Sequence, residues 1–213
     1  MLPYQISLPG GDAEIGTVAV LLHGRGSHEG DLQALRPLLP PEWALVTPQA
    51  PHSGGAWGYG PGWAWYRYIS DDHVEEEGLL ASLESLDEFL GQLPGILGTD
   101  PSRVLLGGFS QGGTTSMAYA FTRSSRVTAV LNFSGFLPAS ELLSLEEVGP
   151  EATPVFWAHG TQDPNIPHRL AVRGRGRLSA AGVPLTAKDY SIGHWIEAEE
   201  VADAVRFVGG VEG

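Results

Sequence analysis

Ser110 stands in Gly108-Phe-Ser-Gln-Gly112, with a glycine two residues to either side. Val104 to Phe109 before it is a strand-like apolar run, and Gln111 to Ala120 after it is a small-residue helical segment. A serine framed in this way sits on a sharp strand-to-helix turn, where the glycines let strand and helix approach without Cβ clashes and the hydroxyl projects above the sheet. A hydroxyl is a weak nucleophile at neutral pH and needs a base within hydrogen-bond reach, itself oriented by a third group. His194, in Ser191-Ile-Gly-His-Trp-Ile196, follows the last predicted strand, and Asp163, in His159-Gly-Thr-Gln-Asp-Pro164, follows the penultimate one. All three therefore project from the carboxyl-end surface of one sheet, in the order Ser, Asp, His. Asp189 is the alternative acid, but it lies inside a strand beside Lys188, where a paired or solvated role suits it better. His159 reads as a cap or bridge of the turn that carries Asp163.

Acyl transfer through such a serine also needs N–H donors for the oxyanion. By position these are the main-chain N–H of Gln111, directly after the nucleophile, and that of Arg25 in the turn His23-Gly-Arg-Gly26, with His23 buttressing the loop. No metal and no organic cofactor is expected, since no H-E-x-x-H pair occurs and His23 and His28 are isolated by glycines. Aromatic residues crowd Ala56 to Tyr68. Trp57 and Tyr59, in a Gly- and Pro-flanked loop, are read as substrate-binding, whereas Trp65 and Tyr68 are equally suited to core or pocket wall.

The elements that must hold these residues alternate along the chain. Strands are predicted over Tyr4 to Leu8, Thr17 to Leu22, Trp43 to Thr47, Val104 to Phe109, Val127 to Phe133, Pro154 to Ala158 and Pro184 to Tyr190. Helices are predicted over Asp31 to Leu39, Val74 to Leu93 (with Gly78 a blemish), Glu141 to Val148, Leu170 to Ala181 and Trp195 to Val208. Pro48 to Gly62 reads as a long loop, and Trp63 to Tyr68 as a strand or pocket wall. The first two strands are expected to pair antiparallel. The Arg173, Arg175 and Arg177 cluster is read as a solvated face. The sum is an α/β architecture, a mostly parallel open sheet with helices on both faces and ligands at the carboxyl ends of the strands. Residues 1–213 are expected to form a single domain.

Composition narrows the function. A net charge of −13 argues against nucleic-acid and anionic-membrane partners. The absence of cysteine excludes disulfides, thiolate zinc sites and cysteine nucleophiles. No apolar run reaches membrane-spanning length and the first residues lack a basic-then-apolar leader, so a cytoplasmic protein without stable membrane insertion is expected, with a homodimer compatible.

Leu-Leu-His-Gly-Arg-Gly, Thr-Pro-Gln-Ala-Pro, Ala-Trp-Tyr, Gly-Phe-Ser-Gln-Gly-Gly, Ala-His-Gly-Thr-Gln-Asp-Pro-Asn-Ile-Pro and Gly-His together resemble the phospholipase/carboxylesterase family of α/β-hydrolases, which includes acyl-protein thioesterases. The resemblance runs from about Val18 to Phe207. It implies an α/β-hydrolase fold, a triad of Ser110, Asp163 and His194, and an oxyanion hole of the Arg25 and Gln111 N–H groups. The family commonly has an apolar residue where Arg25 stands and Asp where Arg67 stands, so a cation at the mouth would favour an anionic acyl or leaving group. With only residues 137–153 available as a cap, a minimal cap and a shallow aromatic groove are expected. The expected activity is hydrolysis of small-molecule carboxylic esters of short to medium acyl or aryl type, with Trp57, Tyr59, Trp65 and Arg67 as substrate contacts. Acyl-protein thioesterase or lysophospholipase activity, an acyltransferase or perhydrolase, and a non-catalytic binding protein are the alternatives.

Overall fold

A computed structural model describes residues 1–11, 14–123, 126–143, 145 and 149–211. Seven strands make the main sheet: β1 (Tyr4–Ser7), β2 (Thr17–Leu22), β3 (Ala44–Pro48), β8 (Arg103–Phe109), β9 (Ala129–Phe133), β10 (Val155–Gly160) and β11 (Leu185–Tyr190). Four short strands, β4 (His52–Ser53), β5 (Trp63–Ala64), β6 (Tyr68–Ser70) and β7 (His73–Val74), form two small antiparallel pairs between β3 and β8. The main sheet runs β1-β3-β2-β8-β9-β10-β11, parallel throughout except for β1.

Its helices follow from periodicity. Along β2, Val18, Val20 and Leu22 face one core while Ala19 and Leu21 face the other, because successive side chains on a strand point to opposite faces. The first core is closed by α1 (Glu76–Gly91), α2 (Leu93–Leu97), α3 (Gln111–Thr122) and α4 (His168–Ala180). The second is closed by a 3₁₀ segment at Asp31–Leu38 and by α5 (Ala198–Gly209). Helices thus cover both faces, as the apolar runs imply. No described helix is long and apolar enough to cross a membrane.

Several expectations are corrected. β1 is antiparallel, but it pairs with β3 instead of β2: Tyr4 lies opposite Pro48 and Ser7 opposite Leu45. Both edges of the deeply buried β2 are taken by β3 and β8, which leaves the half-exposed β1 an edge position. Asp31–Leu38 is 3₁₀, and Pro37 inside it disfavours an α-helix, where its ring would meet the carbonyl four residues earlier. The stretch 63–68 is not one strand; β5 ends at Ala64 and β6 begins at Tyr68, with Trp65 and Tyr66 buried between. Val74 belongs to β7, so α1 starts at Glu76, and a Cβ on Gly78 in its first turns would stand 3.2 Å from Glu75 Oε2 and in ordinary contact with the Trp57 ring. The helix expected over 141–148 falls partly outside the described residues.

The arginines of α4 differ from the expected solvated face in having partners, although Arg173 stays exposed. Arg173 pairs with buried Asp72 at 2.6 Å, Arg175 pairs with Asp189 at 2.6 Å while lying over the Trp157 ring, and Arg177 donates to the Pro138 carbonyl. Gly174 between them lets the helix settle onto Trp157 and Leu137.

Candidate active site

Ser110 joins β8 to α3 with φ 54° and ψ −113°, a left-handed φ that a non-glycine residue adopts only under strain. The flanking glycines make this turn possible. A Cβ on Gly108 would run into the Leu22 carbonyl and the Gly112 backbone, and one on Gly112 would run into the Leu22 carbonyl. The start of α3 is thereby pressed onto the end of β2.

Parallel pairing of β10 with β11, ending at Gly160 opposite Tyr190, brings the two following loops level. Thr161 N–H donates to the Tyr190 carbonyl at 2.8 Å and Gln162 N–H to the Ile192 carbonyl at 3.0 Å. Asp163 and His194 ride on these loops. His194 Nδ1–H donates to Asp163 Oδ2 at 2.6 Å, which leaves Nε2 to accept from the Ser110 hydroxyl at 3.0 Å. The Phe109 ring lies 4.6 Å from the imidazole, centre to centre.

The Asp163 carboxylate is buried, which opposes ionisation, but the hydrogen bonds from His194 and from the Ile166 and Asn165 N–H groups outweigh burial and hold its pKa below the ordinary value. His159 bridges that turn: its Nε2–H donates to the Ile166 carbonyl at 2.8 Å, with Asp163 Oδ2 3.7 Å away, and burial depresses its pKa. Asp189 is engaged elsewhere, with Arg175 at 2.6 Å and His168 at 2.9 Å.

The Arg25 and Gln111 main-chain N–H groups make no hydrogen bond among the described residues, and both residues line one pocket with Ser110 and His194. Gln111 is the first residue of α3, whose leading N–H groups have no partner within the helix and carry its positive dipole end. The Arg25 loop is braced by His23, whose Nδ1–H donates to the Gly24 carbonyl and whose Nε2 accepts from Ala50 N–H. Burial lowers the pKa of His23, as suits a neutral brace. The two N–H groups can receive a developing oxyanion, the Ser110 oxygen can attack, and His194 can move the proton.

The pocket holds about 240 Å³ and is walled by Tyr66, Tyr68, Phe109, Phe136 and Ile166. None of the four expected substrate contacts lines it. Trp57 packs on His52 and Tyr59; Tyr59 accepts from Tyr68 N–H through its hydroxyl; Arg67 turns to Glu75, 3.9 Å away. Trp65 is wholly buried, its Nε1–H on the His23 carbonyl. Tyr66 faces the pocket in its place because residues 65–66 are not strand and simple alternation does not apply.

Two contributors escaped the sequence reading. The Gln111 side chain accepts from Trp65 N–H at 3.1 Å and donates to the Tyr66 carbonyl at 2.8 Å, fastening the aromatic segment to α3. Phe136 is held by its N–H on Thr114 Oγ1, after Gly135 N–H meets Asn132 Oδ1. The available signal was its place just beyond the carboxyl end of a buried strand.

The sequence profile of the phospholipase/carboxylesterase family matches residues 9–211. Acyl-protein thioesterase 1 of Cryptococcus neoformans var. neoformans serotype D is 31% identical over 173 residues, covering 76% of this chain and 72% of its own. Among solved structures, a carboxylesterase from Mesorhizobium loti superposes with a TM-score of 0.84 at 19% identity, covering 98% of this chain and 95% of its own. The Bacillus cereus carboxylesterase superposes with a TM-score of 0.80 at 20% identity, covering 98% and 94%.

Proposed function

The chain belongs to the phospholipase/carboxylesterase family and has the α/β-hydrolase fold, and from that premise we propose that Ser110, His194 and Asp163 are its catalytic triad, with Arg25 and Gln111 N–H as the oxyanion hole. It is a serine hydrolase acting on carboxylic esters. The observation that carries the residue assignment is the unbroken line of hydrogen bonds from Ser110 through His194 to Asp163.

In this reading Ser110 Oγ attacks the ester carbonyl while its proton passes to His194 Nε2, and Asp163 steadies the imidazolium. The oxyanion rests between the two N–H groups. Collapse of the tetrahedral intermediate expels the alcohol, which takes the proton from His194 Nε2. Water then enters, gives a proton to His194, and its oxygen attacks the acyl carbonyl; the second collapse frees the carboxylic acid and returns the proton to Ser110. No metal or organic cofactor is needed for any step. A thioester differs only in its leaving atom, and the thioesterase relative keeps that substrate class within the reading. The pocket's aromatic walls and modest volume support short to medium acyl or aryl groups.

Labelling by a fluorophosphonate probe, with Ser110→Ala as control, tests the assignment. Covalent labelling of wild type and none of the variant is expected; equal labelling of both removes Ser110 from the mechanism. The reading also includes one domain spanning the chain, a cytoplasmic location and compatibility with a homodimer, tested by limited proteolysis, cell fractionation and light scattering.

A further inference from the structure

Arg25 is a cation on the pocket wall whose guanidinium has no partner. It lies over the Tyr59 ring, 4.9 Å from the centroid, and makes no hydrogen bond or ion pair among the described residues. Elsewhere five arginines meet carboxylates, Arg67 with Glu75, Arg169 with Asp71, Arg173 with Asp72, Arg175 with Asp189 and Arg206 with Asp203, and Arg36, Arg103 and Arg177 donate to main-chain carbonyls. With 25 acidic residues against 12 Lys and Arg, carboxylates are in surplus, yet none pairs with Arg25 among the described residues. An aromatic face beneath a guanidinium holds its plane and leaves the N–H fork open, an arrangement suited to receiving a carboxylate two bonds at a time.

The neighbouring groups are also short of acceptors. Tyr66 and Tyr68 line the same pocket as Arg25. The Tyr68 hydroxyl has no acceptor among the described residues. That of Tyr66 is buried, with Thr114 beside it but without hydrogen-bond geometry. Asp31 is the opposing charge on the same pocket, and its Oδ2 already receives the Ser27 hydroxyl at 2.7 Å. Arg67, the other cation that the sequence set near the mouth, faces Glu75 and is out of contention.

We propose that this pocket selects esters whose acyl or alcohol part carries a carboxylate, bound by the Arg25 guanidinium beside the Tyr68 hydroxyl; the proposal rests on the hydrolase reading above. The guanidinium and the N–H of one residue would then act together, the side chain holding the substrate's charge while the main chain meets the oxyanion.

The test is a ratio of kcat/KM values for matched esters, each corrected for its hydroxide reactivity. In the acyl arm, para-nitrophenyl butyrate is compared with the mono-para-nitrophenyl ester of glutaric acid; in the alcohol arm, phenyl acetate is compared with para-acetoxybenzoate. Only the ratio is read, because the Arg25 main chain belongs to the proposed oxyanion hole. In at least one arm the anionic-to-neutral ratio should fall by about tenfold in Arg25→Leu, stay intermediate in Arg25→Lys and rise in Asp31→Asn, a charge-assisted contact being worth about tenfold or more. Ratios unchanged within about twofold in both arms overturn the proposal and leave the hydrolase reading standing. Should Arg25→Leu fail to fold, wild type decides the matter. Glutarate should inhibit butyrate ester turnover competitively at lower concentration than glutaramide does, and equal inhibition overturns the proposal. Absence of turnover of every ester together with absence of fluorophosphonate labelling overturns both.

Discussion

The carboxamide of Gln111 donates to the Tyr66 carbonyl at 2.8 Å across 45 residues of sequence, while the same residue's main-chain N–H stays free at the head of α3. One residue thus heads α3 behind Ser110 with its backbone and anchors the pocket wall with its side chain. Removing that side chain leaves two buried main-chain groups, Trp65 N–H and Tyr66 C=O, without partners. Gln111→Ala is therefore expected to lower unfolding stability by about 2 kcal/mol and to blunt the dependence of kcat/KM on acyl length. Urea unfolding beside an acyl-length series measures both, and unchanged stability would show that the two bonds carry no weight.

If the proposed triad holds, Ser110→Ala and His194→Ala should each reduce kcat by roughly 10⁴-fold or more, and Asp163→Ala by about ten times less, because a triad acts as a unit. Asp189→Ala should keep near-wild-type turnover, its effect appearing in stability through the stranded Arg175. Were Asp163→Ala to retain wild-type kcat while Asp189→Ala lost it, the acid would be misassigned. Activity should also fall in acid, since His194 must be neutral to accept the Ser110 proton.

A pocket of about 240 Å³ predicts an early optimum in acyl length. Each methylene should add at most about 0.8 kcal/mol until the walls are met, after which kcat/KM levels or falls. Phe136→Ala enlarges the groove and should move the optimum to longer chains. Para-nitrophenyl esters from acetate to palmitate would reveal it; an optimum at palmitate in wild type defeats the expectation.

The two glycines of α4 separate by environment. A Cβ on Gly174 would stand 2.6 Å from Trp157 Cη2 and 3.0 Å from Leu137 Cβ, whereas Gly176 has nothing within 4 Å. Gly174→Ala should cost about 1–3 kcal/mol of stability, and Gly176→Ala should gain up to about 1 kcal/mol by helix propensity. Equal effects in thermal unfolding would mean that α4 does not rest on Trp157.

Glu200 gives a pH dependence of stability. Burial, aided by the Glu197 charge and opposed by the Glu197 N–H hydrogen bond, raises its pKa to about 7 from 4.5. A raised folded-state pKa means that its contribution is complete below the unfolded value and is lost as pH rises from 4.5 through about 7. At about 1.4 kcal/mol per unit the loss is at most about 3.5 kcal/mol. Glu200→Gln keeps an acceptor for the cap and cannot ionise, so its advantage over wild type should grow between pH 5.5 and pH 8 and then stay level. Urea unfolding at the two pH values checks this, and a constant difference would contradict a buried, protonatable Glu200.

What the sequence determined by itself was local. Gly108 and Gly112 announce a tight turn at Ser110 because their missing Cβ atoms are a backbone necessity written into the chain at that spot. The apolar runs of β2, β8, β9 and β10 announce strands buried on both faces, and their alternation with helices implies a parallel sheet whose carboxyl ends gather Ser110, Asp163 and His194. The β10–β11 register then brings the loops of Asp163 and His194 level. Tertiary structure alone decided the rest. Nothing near Tyr4–Ser7 says that its partner is β3, since that depends on which sheet edge remains open. Nothing in Ala56 to Tyr68 says that Trp65 turns to the core and Tyr66 to the pocket, because Gln111 and Ser82 set that segment from far along the chain. The arginines divide in the same way: Arg173 finds Asp72 in the turn between β6 and β7 and Arg175 finds Asp189 on β11, while Arg25 finds only a ring. Backbone preference is encoded residue by residue, but a side chain's partner is chosen by elements that meet only after the sheet has formed.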